Sequence, residues 1–320
     1  MKSGHRLCSL FLIILGATSC TTTGYNTAAD PGYKVHIKHI DTRSLIGLLA
    51  DISHTSIIVS DELDNQPYTI KASDTNALKL MKQAIQHANL TYKSYNDIMI
   101  AGSKCRLDNQ PSIDATPALQ KPLSVNFPKG TSLGHLMELY SGATQQPINI
   151  ANHLQSAIIS LRISTKPVRD QLAAIAIAEG LTSSKNIRGA LNIYPDPKMR
   201  TCSDLKLHSS PTDLTDNPPA ERGRSCLKKT KDKLKKRFCE PAENYALSQL
   251  KLMGYIQNNL NPGDIKAIID TRYETMALAT GNHLGLNSGL ITKIDNKGIY
   301  IEELIPHHNT YHSKKQFIPY

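Results

Sequence analysis

Four cysteines downstream of the N-terminal segment are the residues of this chain best suited to covalent chemistry. They are Cys105, Cys202, Cys226 and Cys239. An even number of cysteines in a chain with an export signal favours disulfides, and four cysteines allow three pairings. The short separation favours Cys226–Cys239, with Cys105–Cys202 as the remaining pair, and a closed loop of roughly 15 residues contributes about 3 kcal/mol. A zinc site is the weaker alternative, because no CxxC spacing or matched histidine pair accompanies these cysteines.

The export signal occupies residues 1–20. A basic start precedes the apolar run Leu7–Leu15, which is too short to span a bilayer, and small residues then end at Cys20. The segment resembles a bacterial lipoprotein signal, with Ala17 where leucine is usual. The resemblance implies cleavage before Cys20 and attachment of diacylglycerol and palmitate to it, and an ordinary secretory signal is the alternative. Thr21, where inner-membrane lipoproteins usually carry aspartate, favours the outer membrane over the inner.

No catalytic constellation stands out in the sequence. Ser-His-Asp, HExxH and paired-carboxylate signatures are missing, so we predict a protein that is not an enzyme and has no cofactor. His307, His308 and His312 could bind metal, but a solvated polar tail is the favoured interpretation, and His36 and His39 are interpreted as ordinary strand residues. We therefore predict no metal site.

The net charge of +10 is unevenly distributed over the 320 residues. A basic segment supplies much of it, with Asp232 as its acidic residue. Its members are Lys228, Lys229, Lys231, Lys233, Lys235, Lys236 and Arg237. A solvated linker is the favoured interpretation, and contact with anionic lipid headgroups or an acidic partner is the alternative. Aromatic residues make up 5% of the chain and tryptophan is absent, which argues against stacking on bases or sugars. The export signal disfavours DNA binding.

A βαββαββ pattern occurs twice before residue 200, over residues 33–102 and 122–195. In the first copy, Asp41 or Thr42 can cap a helix whose leucines recur at helical spacing, and Ser73 or Asp74 can cap a second helix. A polar and basic linker is predicted over 196–241. Five short strands over 244–306 predict a small β-sandwich or barrel, and 307–320 is predicted to be a polar tail. The fold class is therefore α+β.

The C-terminal β domain contains a glycine-rich segment that is a candidate partner-binding loop, because loops on a rigid β-scaffold often make contacts. The candidates are Gly281, Asn282, Gly285, Asn287 and Gly289. The alternative is that these glycines only permit tight turns.

Two family resemblances coincide in this chain. Each repeat resembles the secretin/TonB short N-terminal (STN, N0-like) module, carried in the first copy by Asp41–Ala50, whereas Gly130–Leu133 replaces the Asp-led start in the second. The C-terminal domain resembles the pilus assembly protein PilP through Tyr245–Gly254, Gly281–Ile294 and Ile299–Glu302. The usual PilP is shorter and lacks the two preceding modules.

These resemblances imply a periplasmic lipoprotein that works by protein–protein contacts. The expected role is a structural component of a type IV pilus or type II-like secretion machine that links an inner-membrane platform to a secretin. The alternative is a receptor or transducer lipoprotein that uses its STN modules to bind a ligand or an outer-membrane channel.

Overall fold

The computed structural model describes residues 32–108, 113, 116–198, 226–229, 234–307 and 310–320. Its described part is a mixed α and β fold with several sheets. These described residues belong to one compact unit. In the described ranges, no helix has the length and apolar composition needed to cross a membrane.

The first repeat contains the elements that the sequence pattern predicts. They are β1 (Tyr33–Asp41), α1 (Thr42–Ile52), β2 (Ser56–Val59), β3 (Pro67–Thr75), α2 (Ala77–His87), β4 (Thr91–Tyr95) and β5 (Ile98–Gly102). The Asp41 carboxylate accepts from the main-chain N–H of Ser44 and starts α1, which satisfies a helical amide that has no partner inside the helix. Asn76 does the same for α2, so the second cap lies beyond the predicted Ser73 or Asp74.

The second repeat follows a short helix, α3 (Lys104–Leu107). Its elements are β6 (Pro122–Ser132), α4 (Leu133–Thr144), β7 (Ile148–Ile150), β8 (Ile158–Pro167), α5 (Val168–Glu179), β9 (Leu181–Lys185) and β10 (Leu191–Pro195). The two repeats share a five-stranded sheet of order β4-β5-β2-β8-β6, in which Ile58 of the first repeat stands opposite Leu161 of the second. Ile58 also belongs to the apolar core around α4 and α5, so the repeats are joined by both main-chain pairing and side-chain packing.

The C-terminal part is built almost entirely of strands. They are β11 (Cys226–Lys229), β12 (Leu234–Arg237), β13 (Lys251–Asn258), β14 (Ile265–Asp270), β15 (Thr275–Ala279), β16 (His283–Leu284), β17 (Gly289–Asp295), β18 (Gly298–His307) and β19 (Thr310–Pro319). Residues 247–249 form a 3-10 turn, so the first of the strands predicted over 244–306 begins only at Lys251.

Residues 310–319 of the predicted polar tail have regular structure. They form β19, which is paired with β18 along its whole length. The sequence is polar because most of the β19 side chains are exposed, and an exposed edge strand lacks the apolar alternation by which strands are recognised. Part of the predicted 196–241 linker also has structure, because β11 and β12 pair with each other.

The C-terminal β domain does not have all of its sheets to itself, because the sheet of order β15-β14-β13-β1-β3 includes two strands of the first repeat. Strand β1 of the first repeat pairs with β13, with Ile37 opposite Gly254. On β14, Ala267 and Ile269 face the core shared with β17 and β18, whereas Ile268 faces the core formed with α1 and α2. This sheet is therefore buried on both faces, and removing the first repeat would expose one of them.

Candidate protein-binding surface

Strand β19 is the last strand in the sheet of order β16-β17-β18-β19. It pairs with β18 from Gly298↔Pro319 to His307↔Thr310. Strand β17 pairs with β18 only as far as Glu302, so the outer half of the β18–β19 hairpin extends beyond the third strand. Among the described residues, no strand pairs with the outer edge of β19.

The register of the hairpin identifies the main-chain groups that point outward from this edge. Pro306 stands opposite Tyr311, and Pro319 stands opposite Gly298. Because proline has no N–H, it fits where the main chain does not donate to the neighbouring strand. Positions two residues apart share this orientation, so the main chains of Tyr311, Ser313, Lys315 and Phe317 point away from β18. These groups are free to pair with an added strand.

The side chains of β19 combine apolar and charged groups. Tyr311 and Phe317 are each 46% exposed, and the Phe317 ring lies 4.8 Å from that of Tyr300. Lys314 and Lys315 stand opposite Glu303 and Glu302, an arrangement of opposite charges that stabilises a strand pair. Lysines on an edge strand also discourage indiscriminate pairing with other edges. This edge therefore favours a partner of matched sequence.

The glycine-rich segment lies beside the middle of this hairpin, near Glu303 and Leu304 of β18, and its members differ in role. Gly281 is exposed at φ +95°, and a β-carbon there would meet no atom within 4 Å. Gly285 and Gly289 are buried, and a β-carbon would lie 2.7 Å from the side chains of Leu247 and Ile301, respectively. Both glycines are thus required by close packing rather than available to a partner.

The two candidate asparagines shape the loop by hydrogen bonds. The Asn282 side-chain oxygen accepts from the Ala279 N–H at 2.8 Å, and the Asn287 amide donates to Glu303 at 3.2 Å. Asn287 is exposed and its carbonyl accepts from Leu304 N–H at 3.2 Å, which ties the loop to β18. Gly281 and Asn287 are therefore the exposed members of the predicted set.

The basic segment lies on a two-stranded ribbon formed by β11 and β12. A disulfide joins Cys226 to Cys239 at its base, with the two Cα atoms 5.0 Å apart. Arg237 does not contribute to an open basic patch, because its guanidinium donates to both oxygens of the buried Glu243 carboxylate at 2.7 Å. Lys236 is exposed. Lys231 and Lys233 lie outside the described residues.

The remaining sequence candidates are only partly described. Cys105 is disulfide-bonded, whereas its predicted partner Cys202, the lipidation candidate Cys20 and His308 lie outside the described residues. The rings of His307 and His312 contact each other edge to face at 4.9 Å. Cys226, Cys239 and Glu243 lie close together, but the sulfurs are bonded to each other and offer no thiolate to a metal.

Sequence reasoning missed a buried ion cluster between the two repeats. Arg106 lies 2.6 Å from Asp61 and 2.8 Å from Glu179, and all three side chains are at most 3% exposed. Burial raises the pKa of the Glu179 carboxyl well above its usual value, and the charge of Asp61 raises it further, against the effect of Arg106. The sequence did contain one indication of this cluster, because Glu179 lies at the end of the buried, mostly apolar face of α5.

Arg43 extends this cluster toward the second repeat. Its guanidinium donates to the Ser160 hydroxyl at 2.9 Å and to the Ser60 carbonyl at 3.3 Å. Burial lowers the pKa of Arg43, and the charges of Glu179 and Asp61 oppose that effect. The Arg106, Asp61 and Glu179 side chains are almost fully buried, so the cluster fixes the geometry of the repeats.

Comparison with known proteins gives one family match. Residues 206–318 match the model described as "Pilus assembly protein, PilP". Among curated proteins, no sequence matches the chain.

Solved structures of PilP domains are similar to part of the chain. A domain of the type IV pilus biogenesis lipoprotein PilP from Pseudomonas aeruginosa PA01 is 16% identical, with 26% of this chain and 94% of that chain covered and a TM-score of 0.24. The solution structure of PilP from Pseudomonas aeruginosa is 14% identical, covering 32% and 88%, with a TM-score of 0.24. A domain of the Neisseria meningitidis PilP pilot protein is 24% identical, covering 29% and 80%, with a TM-score of 0.23.

Proposed function

We propose that this chain is a non-enzymatic structural component of a type IV pilus assembly machine or a related type II-like secretion machine, because residues 206–318 match the family model of the pilus assembly protein PilP. The family match is the observation that carries the proposal. In this role the chain is an envelope lipoprotein anchored through Cys20 in the outer or inner membrane. It links an inner-membrane platform to a secretin by protein–protein contacts.

The edge of β19 is the part of the domain best suited to such a contact. Its outward main-chain groups can pair with an extended segment of a partner, and such strand addition supplies affinity through main-chain hydrogen bonds and specificity through alternate side chains. Tyr311 and Phe317 offer apolar area for the partner's side chains. Gly281 and Asn287 lie on the exposed loop that contacts the middle of β18 and extend the surface there.

The two N-terminal repeats give this surface a fixed support. Strand β1 is paired with β13, and Lys129 of the second repeat lies 2.8 Å from Asp270 of β14. A partner that binds β19 therefore acts on a body to which both repeats are joined, rather than on a domain at the end of a flexible linker. Their resemblance to STN modules supports a second contact with the secretin or its neighbours.

Substitution of Lys315 tests strand addition at the β19 edge. Lys315→Pro removes an outward N–H without removing a bond to β18, because Pro306 and Pro319 already occupy positions of the same orientation. The matched control is Lys315→Gln, which removes the charge but keeps the N–H. We expect Lys315→Pro to weaken binding to the secretin N-domains or the platform proteins encoded nearby, and Lys315→Gln to retain most of it.

Binding by purified chains and piliation of cells that carry each variant are the two measurements. Equal binding by the proline and glutamine variants, with both folded by circular dichroism, would exclude strand addition at this edge. The broader role has a separate test. If deletion of the whole chain leaves piliation and secretion intact, the assembly role is wrong and the receptor or transducer role becomes the better hypothesis.

A further inference from the structure

One face of the sheet of order β15-β14-β13-β1-β3 is covered over only part of its width. On β14, Ala267 packs in the core shared with β17 and β18. Tyr255 of β13 stands opposite Ala267 and therefore lies on the same face, and its ring is 5.5 Å from that of Tyr320. Farther along the sheet, on β1 and β3, the side chains of this face are exposed or half-buried. The cover thus ends near Tyr255.

The open part of this face is basic. Alternate residues of a strand point to opposite sides of its sheet. Because Ile37 of β1 is buried in the core with α1 and α2, its neighbours His36 and Lys38 point to the open side, as does Lys34. The register places Lys71 of β3 directly opposite His36. These residues form the surface hereafter called the basic face, which consists of Lys34, His36, Lys38 and Lys71.

The positive charge of the basic face is not balanced by neighbouring carboxylates. In the described part of the chain, none of its three lysines has a salt-bridge partner. The acidic residues of β1 and β3 are engaged elsewhere, because Asp41 caps α1 and the Asp74 carboxylate accepts from the Asn259 side chain at 3.3 Å. Burial lowers the pKa of His36, and the charges of the three lysines lower it further. The three ammonium groups therefore act together on one small area.

The surroundings of the basic face favour a protein over a membrane as its partner. None of its residues is a large exposed apolar side chain, whereas elements that lie on a bilayer combine basic residues with such side chains. Among the described strands, none pairs with the outer edge of β3. The main chain of an extended polypeptide can pair with such an edge, and a lipid cannot.

We propose that the basic face binds an acidic segment of a protein partner, with the carboxylates of the partner near the lysines and its main chain along β3. This contact goes beyond the proposed function, because β1 and β3 lie outside residues 206–318 and in a different sheet from β19. Exposed ion pairs contribute little affinity each. The role of the lysines is therefore to speed the association and to select and orient the partner.

Binding of a defined acidic peptide tests this contact. The protein is residues 21–320, which include every described residue. The probe is a fluorescein-labelled peptide of alternating glutamate and threonine, and the matched neutral peptide has glutamine in place of glutamate. Fluorescence anisotropy measures binding. We expect the acidic peptide to bind and the neutral peptide not to bind, with binding weakened by added salt because the charges are screened.

Two triple variants of equal net charge distinguish the basic face from general basicity. Lys34→Gln with Lys38→Gln and Lys71→Gln should weaken binding about tenfold, from about a factor of two for each surface ion pair. The control variant removes the same charge from exposed positions on α2, α3 and β9 and should bind as the parent does. Its substitutions are Lys79→Gln, Lys104→Gln and Lys185→Gln. Arginine at positions 34, 38 and 71 keeps the charge and should restore binding.

Equal loss in the two glutamine variants, or absence of peptide binding by the parent chain, overturns the proposal. A second assay with phosphatidylglycerol vesicles addresses the membrane alternative. Vesicle binding that depends on the three lysines, without peptide binding, overturns the proposal in favour of a lipid surface.

Lysines on an edge strand can also serve only to prevent association between edges. In that case the variant with glutamine at positions 34, 38 and 71 self-associates in analytical ultracentrifugation while its peptide binding is unchanged, and the proposal is wrong. Circular dichroism checks that each variant is folded. The peptide assay involves neither a secretin nor β19, so its failure is distinguishable from a failure of the proposed function.

Discussion

Gly254 on β13 packs directly against the main chain of His36 on β1. A β-carbon at position 254 would overlap the His36 carbonyl oxygen and would lie 2.8 Å from the His36 carbonyl carbon. Gly254 also has φ +153° and adjoins an irregularity in the pairing of β13 with β14. This contact lies where the first repeat joins the C-terminal part. Strand β1 can pair with β13 at this distance because position 254 has no side chain.

Replacement of Gly254 with alanine should destabilise the whole compact unit. The added methyl group would push β1 away from β13, at a cost on the order of 3 kcal/mol in the free energy of unfolding. Urea denaturation measures this change. Gly142→Ala in α4 is the control, because its β-carbon would meet no atom within 4 Å, and a helical alanine stabilises by about 0.5–1 kcal/mol relative to glycine. Equal stability of the two variants would contradict the prediction.

Arg106→Met should reduce stability far more than removal of a surface ion pair. The substitution leaves Asp61 and Glu179 buried without their cation, and breaking such a buried pair typically costs about 3–5 kcal/mol. The control is Arg162→Met, which removes a partly exposed contact with Asp51 and should cost less than about 1 kcal/mol. Thermal and urea denaturation compare the two variants. Similar losses in both would mean that the buried cluster is not the stronger contact.

Stability should depend on pH through Glu179. The pKa of the Glu179 carboxyl in the folded chain is raised above the ordinary value of 4.5. At a pH between 4.5 and this raised pKa, the folded chain retains a proton that the unfolded chain has lost. The free energy of unfolding therefore falls as pH rises through that window, by at most about 1.4 kcal/mol per pH unit from this group.

Glu179→Gln isolates this contribution, because glutamine stays neutral at every pH. Its free energy of unfolding, measured by urea denaturation from pH 4.5 upward, should fall less steeply with pH than that of the parent chain. Glu138→Gln, at an exposed position of α4, should run parallel to the parent. If the free energy of unfolding of the parent chain changed with pH as steeply as that of the Glu179→Gln variant, Glu179 would have the same pKa in the folded and the unfolded chain.

Peptide mapping without reduction should recover two cross-linked peptides. One joins Cys226 to Cys239, as the structure has it. The other is predicted to join Cys105, which is disulfide-bonded, to Cys202. Recovery of Cys105 with any other cysteine would replace the predicted pairing.

Cys20→Ser should release the chain from the envelope membranes into the soluble fraction, because stable anchoring of a lipoprotein requires its acyl chains. Fractionation is carried out after a high-salt wash, so that any charge-dependent association with the membrane is removed. Unchanged signal processing and unchanged membrane attachment after the wash would show that Cys20 is not the anchor.

The local structure of both repeats was predictable from the sequence because its causes are local. Asp41 accepts from an amide three residues later, and the leucines of α1 recur at helical spacing, so each signal lies within one helix. The same holds for the strands of the second repeat and for β14, where neighbouring apolar residues mark a strand. The short separation of Cys226 and Cys239 likewise pointed to the pairing seen in the structure.

The tertiary structure alone decided how these elements combine. Pairing of β1 with β13 joins Ile37 to Gly254 across more than half of the chain, and no local pattern specifies a partner at that distance. Strand β19 could not be predicted from the sequence, because its side chains are mostly polar and exposed and it is held by pairing with β18. The surroundings of Glu179 also depended on Asp61 of the first repeat and on Arg106 of α3, which lies between the repeats. Helix caps and apolar periodicity depend on residues a few positions apart. Strand pairing and the stability of buried charges depend on residues that are distant in sequence and meet only in the folded chain.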